Sequence, residues 1–370
     1  MKIDRFEAWT VSLPLPRPVV LGSIRYDSRD YVVLRLTDAE GVTGAAWGMT
    51  RGGPLLETAA RLAPLVVGVD VGLPEALWQE LYAATITYGQ RGLSMRALSL
   101  VDIALWDLRA RRSQLPLWQM LGGARPAAPA AVGGGYFREQ REPDDIREEL
   151  GRYVEQGFRI VKVPGGGLPP AQEQAWIELA RGAVGPDVEL AVDAHWSWRE
   201  VRSALAVLSR WEPAGLAWVE DPLWPEAVAA QAALRRGTTV PLAIGDELSG
   251  RWAYQNLLLA DAADIWRIDV TTVGGFSEAR RIAALAATWG IALSTHVYPE
   301  LHIHLAAAET GVLGVEYTDP MAGIDLCYQF LDPVARPVIG ELSAPTGHGL
   351  GVNVDWDLVA ARSVGQFSAP

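Results

Sequence analysis

Six polar residues, Asp193, Glu220, Asp246, Asp269, His296 and Glu316, each close a short aliphatic or β-branched run, and successive members stand 20 to 27 residues apart. Three carboxylates brought together repel one another unless a cation neutralises them, so a divalent metal among Asp193, Glu220 and Asp246 is the simplest resolution. With oxygen ligands alone, one cysteine in the chain and no His-x-x-x-His spacing, such a site is hard and suits Mg²⁺ better than Zn²⁺. Glu247 offers an alternative third ligand, but the run "AIGD" ends on Asp246, which is preferred. Asp269 and His296 close the next two runs. A carboxylate bonded to one imidazole nitrogen fixes the tautomer and raises the basicity of the other, which makes a general base. Lys162, ending "RIVK" in "RIVKVPGGG", adds a positive charge suited to an anionic substrate. His195 stands two residues beyond Asp193 in "AVDAHW", and strand alternation is expected to turn both to one side. His302 and His304, in "YPELHIHLAAA", read as packed or solvent-facing, and His348 carries no separate signal. The segment "PGGGLPP" lacks the Gly-Lys-Ser/Thr ending of a phosphate loop and reads as a flexible connection.

These residues need a scaffold that brings them to one place. After the linker "ARPAAPAA", eight short runs alternate with longer helical patterns: 131–136, 159–163, 188–193, 216–220, 241–246, 265–269, 291–296 and 311–316. That alternation predicts an α/β chain with a parallel barrel, whose strand C-terminal ends share one face. All six polar residues then surround one mouth. Before the linker, residues 1–50 read as antiparallel strands, with a turn at Asp38–Gly41. "MRALSLVDIALWDLRARR" follows as a helix, with Leu98, Val101, Leu105 and Leu108 at helical spacing. The expected division is an α+β domain over 1–125, a barrel over 126–320 and a C-terminal segment over 321–370.

Composition narrows the function classes. A formal net charge of −12 argues against a nucleic-acid partner, which would require a basic face. Cys327 is alone, which excludes a disulfide framework and fits a reducing compartment. The N-terminus has no basic flank or cleavage site, and no apolar run reaches about 18 residues. A soluble, cytoplasmic protein is expected, with a small-molecule substrate and neither a nucleic-acid nor a membrane partner.

The ordered set "LVDIALWDL", "LPLWQMLGG", "KVP", "VDAH", "VEDP", "GDE", "IDVTTVGG", "STHVYPE" and "VEYTDP" resembles the enolase superfamily, and within it the mandelate racemase/muconate lactonizing enzyme subgroup, over essentially the whole length. The resemblance implies an α+β capping domain over a modified (β/α)8 barrel of (β/α)7β form, with the C-terminal segment packing back on the cap. It implies Mg²⁺ held by Asp193, Glu220 and Asp246, a His296/Asp269 dyad, a carboxylate-contacting acid at Glu316, and a homo-oligomer between dimer and octamer. The shared chemistry is abstraction of the proton α to a carboxylate, giving an enediolate that metal and Lys162 would stabilise.

Two departures bear on subtype. Racemases of the subgroup resemble Lys-x-Lys on the second barrel strand, whereas Pro164 stands at the second position here and offers no base. Lys-x-Pro looks like rhamnonate-type sugar-acid dehydratases, and Asp-x-His at Asp193–His195 looks like aldonate dehydratases in which the histidine protonates the departing 3-hydroxyl. The expected function is therefore a Mg²⁺-dependent aldonate or aldarate dehydratase, a hydro-lyase yielding a 2-keto-3-deoxy sugar acid. A racemase, epimerase or cycloisomerase of the same superfamily is the alternative; a glycosidase barrel or a non-catalytic sugar-binding barrel are those from other classes. Substrate is expected to be read by residues 14–27 and 47–53, with Arg17, Arg25, Arg51, Tyr136 and Glu247 as candidate contacts.

Overall fold

The computed structural model describes residues 1–21 and 24–370. Three antiparallel strands, β1 (Ile3–Leu21), β2 (Ile24–Asp38) and β3 (Thr43–Met49), form the N-terminal sheet, and the C-terminal strand Ser363–Ala369 adds to the edge of β1. Asp38 makes the β2–β3 turn, its Oδ1 accepting the amides of Glu40 and Val42 at 3.0 Å each. Segment 14–27, expected as a loop, is instead the end of the β1–β2 hairpin, apart from residues 22–23, which lie outside the described residues. Its register breaks between Pro14 and Val19, where Pro14, Pro16 and Pro18 have no N–H to offer the ladder.

The helix Leu93–Arg112 lies between this sheet and the barrel, so apolar positions all round it are buried rather than one stripe alone. Gly44 of β3 permits the approach, since a Cβ there would sit 2.1 Å from the Ala104 carbonyl oxygen. Polar bonds pin the joint: Trp106 Nε1 donates to Ser277 Oγ at 2.9 Å, and Asp102 Oδ2 accepts the Ser277 amide at 3.0 Å.

The barrel comprises β4 (Ala127–Gly133), β5 (Ile160–Pro164), β6 (Glu189–Asp193), β7 (Trp218–Glu220), β8 (Leu242–Ile244), β9 (Ile265–Ile268), β10 (Ala292–Thr295) and β11 (Val312–Thr318). Every neighbouring pair is parallel and β11 closes on β4. Each strand-to-strand connection carries an α-helix, but β11 is followed by 3₁₀ turns, so the form is (β/α)7β. No helix among the described residues is long and apolar enough to cross a membrane.

Two further expectations are corrected. "ARPAAPAA" is largely strand rather than linker: β4 takes its Ala127–Ala131 portion, and Ala128 and Ala130 are buried. Pro129 is tolerated because the start of β4 pairs only with Glu341–Ser343, while the barrel ladder begins at Ala130. Four strands also end earlier than their apolar runs suggest: Tyr136 lies three residues past β4, and Asp246, Asp269 and His296 lie just beyond β8, β9 and β10.

Inside the barrel Ala131, Ile160, Ala191, Trp218, Ala243 and Ile265 form an apolar floor. Side chains alternate along a strand, so two residues further up come Gly133, Lys162, Asp193, Glu220, Gly245 and Arg267. The polar site is the layer directly above this floor.

Candidate active site

Asp193, Glu220 and Asp246 present carboxylate oxygens that all lie within 4.8 Å of one another, and all three side chains are buried. Asp246 reaches the group through Gly245, whose φ is +148° and whose place allows no Cβ, because one would sit 2.2 Å from the Arg267 carbonyl oxygen. Glu247 points elsewhere and pairs with Arg96 NH2 at 2.5 Å and Arg51 Nε at 3.5 Å. It is therefore not among the grouped carboxylates.

Two buried cations thread this cluster. Lys162 Nζ lies 2.8 Å from Glu220, 2.9 Å from Glu316 and 3.5 Å from Asp193. Arg267 Nε lies 2.9 Å from Asp246 Oδ1 and 3.0 Å from Glu220 Oε2, while its NH2 lies 2.5 Å from Glu316. Sequence reasoning missed Arg267. Its signal was present: it stands two residues before Asp269 on a strand, hence on the same inward side. Four carboxylates against two cations leave two negative charges, and Glu220 Oε2 has no aligned hydrogen-bond donor. An all-oxygen set with that surplus and an unsatisfied buried oxygen fits a hard divalent cation.

Electrostatics follow from this crowding. Burial pushes the Glu220 carboxyl well up, and its neighbours Asp246 and Asp193 push the same way against Arg267 and Lys162. Burial also opposes charge on Glu316, yet Lys162 and Arg267 bring it down to about 2. For Lys162, burial works against the charge but Glu220 and Glu316 override it and hold the ammonium well above its ordinary value.

His296 Nδ1 lies 2.9 Å from Asp269 Oδ2. The other oxygen of Asp269 accepts from Thr271 N at 2.7 Å and Thr271 Oγ1 at 2.8 Å, which fixes the carboxylate. Despite burial, the His296 bond and charge bring Asp269 down to about 2. Burial lowers the His296 pKa, but Asp246 and Asp269 outweigh it and the net shift is upward.

His195 reaches the mouth by a route other than strand alternation. β6 ends at Asp193, and His195 and Trp196 adopt left-handed φ of 47° and 54°. The turn folds the imidazole back, so Nε2 lies 3.1 Å from Asp193 Oδ2 and the His195 amide donates to Asp193 Oδ1 at 3.1 Å. Two successive non-glycine residues in this region mark a place where the surroundings over-determine the backbone.

A cavity of about 410 Å³ lies between cap and barrel. Arg29, Met49 and Arg51 line it from the cap, and Tyr136, Asp193, His195, His296 and Glu316 line it from the barrel. Arg51 enters with φ of 52°, its NH2 3.4 Å from His296 Nε2. The other expected cap contacts are not brought here. Arg17 lines an adjoining cavity, 5.9 Å above the Phe137 ring, and Arg25 pairs with Asp27 at the surface. His302 and His304 are fully buried, which settles between the packed and solvent-facing readings.

Comparison with known proteins agrees with this architecture. Residues 5–122 match the mandelate racemase/muconate lactonizing enzyme N-terminal domain, and residues 145–358 match the enolase C-terminal domain-like family. A D-galactarolactone cycloisomerase of Agrobacterium fabrum is 32% identical over 375 residues, covering 96% of this chain and 97% of its own. A racemase of Streptomyces coelicolor A3(2), solved with bound magnesium, superposes with a TM-score of 0.90 at 26% identity, covering 98% of this chain and 100% of its own. An L-talarate dehydratase of Polaromonas sp. JS666, solved with Mg and L-glucarate, gives 0.87 at 27% identity, covering 99% and 98%. With both of its halves matched in order, the chain belongs to the mandelate racemase/muconate lactonizing enzyme family of the enolase superfamily.

Proposed function

We propose that the protein is a magnesium-dependent acid-sugar dehydratase acting on an aldonate or aldarate. The observation that carries this reading is one cavity lined by His296, its partner Asp269 behind it, and also by His195, with Pro164 where a second lysine base would stand. Asp193, Glu220 and Asp246 would hold the magnesium ion, which when bound supplies positive charge beside the substrate carboxylate. Such a cavity accommodates a single small acid.

His296 Nε2 takes the proton from C2, and Asp269 stabilises the imidazolium through Nδ1–H. The C2–H electron pair becomes the C1–C2 double bond of the enediolate. Glu316 lines the cavity, and the ammonium of Lys162, 2.9 Å behind it, would offset the charge growing on the substrate carboxylate. His195 then gives its proton to the C3 hydroxyl as the enediolate collapses: the C1 carboxylate re-forms, the C1–C2 double-bond pair becomes the C2–C3 double bond, the C3–O bond breaks and water leaves, because hydroxide alone is a poor leaving group. Tautomerisation of the enol yields the 2-keto-3-deoxy acid. Arg51, beside Nε2, orients the hydroxyls near the reacting carbon.

The test is a screen of a stereochemically complete set of C4 to C6 aldonates and aldarates with Mg²⁺, detecting 2-keto-3-deoxy products. At least one should be converted with loss of one water. Failure of every member overturns the assignment. The similarity to a lactone cycloisomerase supports a second reading, in which product and substrate have equal mass. Mass spectrometry of the product separates the two.

A further inference from the structure

His302 sits on the helix Pro299–Ala308 and is fully buried. Its Nε2 accepts the Val270 amide at 2.9 Å, and its Nδ1 lies 2.7 Å from the Val297 carbonyl oxygen and 3.2 Å from that of Tyr298. Val270 directly follows Asp269, and Val297 directly follows His296. One ring therefore bonds a backbone group of the residue that follows each member of the dyad, although the two come from different strands. The tautomer is forced, since an amide N–H can only donate: Nε2 carries the lone pair and Nδ1 the proton.

The backbone at this point needs such a hold. Val297 and Tyr298 both have φ of 44°, a left-handed conformation unfavourable for β-branched and aromatic residues. It persists only where surrounding contacts impose it. His302 supplies one contact, and the Tyr298 hydroxyl, accepting the Met49 amide at 2.7 Å, ties the same turn to the cap.

We infer that His302 is a positioning residue that clamps Asp269 and His296 at their working separation, an inference that rests on the base role proposed above for that dyad. His304 supplies the contrast. It is equally buried and also bonds two backbone groups, Trp118 N at 3.2 Å and Leu350 O at 3.1 Å, but neither adjoins the dyad. A histidine that merely fills the core would behave like His304.

The experiment uses the full chain with Mg²⁺ and ¹⁵N-labelled histidine, reading the hydrogen-bonded Nδ1–H resonance of His296, assigned by its loss in His296→Asn. His302→Leu removes both bonds and should shift or abolish that resonance. On the substrate found in the screen it should lower kcat by about 100-fold with little change in KM, the scale expected when a reacting group is misplaced. His302→Gln, whose amide can both accept from Val270 and donate to Val297, should restore most of the resonance and the rate. His304→Leu should leave the resonance in place. If the leucine variant does not fold, His302→Asn, too short to meet both peptides, should show the same loss. A folded leucine or asparagine variant with the wild-type His296 resonance overturns the clamp. That readout needs no substrate, so a screen in which nothing is converted would sink the dehydratase reading while leaving the clamp decided by the spectrum.

Discussion

Arg51, carried by the cap, places its guanidinium NH2 3.4 Å from Nε2 of His296, carried by the barrel. A guanidinium can only donate, so this contact requires a lone pair on Nε2 and sends the Nδ1 proton to Asp269. The cap thereby helps select the tautomer in which His296 is a base. Glu247, held between Arg51 and Arg96, sets the reach of the guanidinium.

Arg51→Ala should lower kcat/KM by about tenfold to 100-fold, the range for losing a charge-assisted bond of roughly 1.5–3 kcal/mol. Arg51→Lys should recover only part, because lysine lacks the planar fork that meets Glu247 and the cavity together. Steady-state kinetics on the screened substrate decide it. A variant with wild-type kinetics would remove Arg51 from substrate recognition.

The two cavity histidines should separate by experiment. His296→Asn should lose both elimination and exchange of the C2 proton with solvent deuterium, while substrate still binds by calorimetry. His195→Asn should lose elimination yet keep C2 exchange, because only the second proton transfer is removed. Loss of both reactions in His195→Asn would assign that residue to positioning, consistent with its 3.1 Å contact to Asp193.

Charge balance around Arg267 predicts a linked effect on stability and metal binding. Magnesium at 100 times its Kd should add about 2.7 kcal/mol to the unfolding free energy, and Glu220→Gln should lose most of that increment. Arg267→Met strands Asp246, Glu220 and Glu316 in the interior and should cost about 3–5 kcal/mol in metal-free protein. Denaturant titrations with and without chelator measure both. Retained turnover in excess chelator would contradict the metal-dependent reading and favour a metal-free hydrolase.

Asp102, at the joint between cap and barrel, provides a pH test away from the site. Burial raises its carboxyl to about 7, against opposing hydrogen bonds from Ser277 and Phe276. Between its ordinary value and about 7, the folded state keeps a proton that the unfolded chain has released. Stability therefore falls as pH rises through that window and levels off above it. The full effect is on the order of 4 kcal/mol, at 1.36 kcal/mol per unit. Asp102→Asn, which carries no titrating group, should flatten the slope, so urea midpoints at pH 5 and 8 should differ less in the variant than in the wild type.

Much of this protein was legible from residue order alone. Eight runs alternating with helical patterns predict a parallel barrel, and a parallel barrel puts every strand end on one face, so Asp193, Glu220, Asp246, Asp269, His296 and Glu316 are expected to converge. Alternation also held Arg267 in plain view, two residues before Asp269, but an arginine inside an apolar run reads as a local exception until its partners are seen. Three features were decided only in three dimensions. Pro129 looks like linker chemistry, and the strand survives because its proline half pairs outside the barrel ladder. His195 faces the cavity through a left-handed turn that no residue pattern specifies. Arg51, and not Arg17 or Arg25, meets His296, because which cap side chain reaches the mouth depends on how the Leu93–Arg112 helix seats one domain on the other. Local periodicity sets which way a side chain faces along its own strand, whereas distances between side chains on different elements arise only when those elements pack.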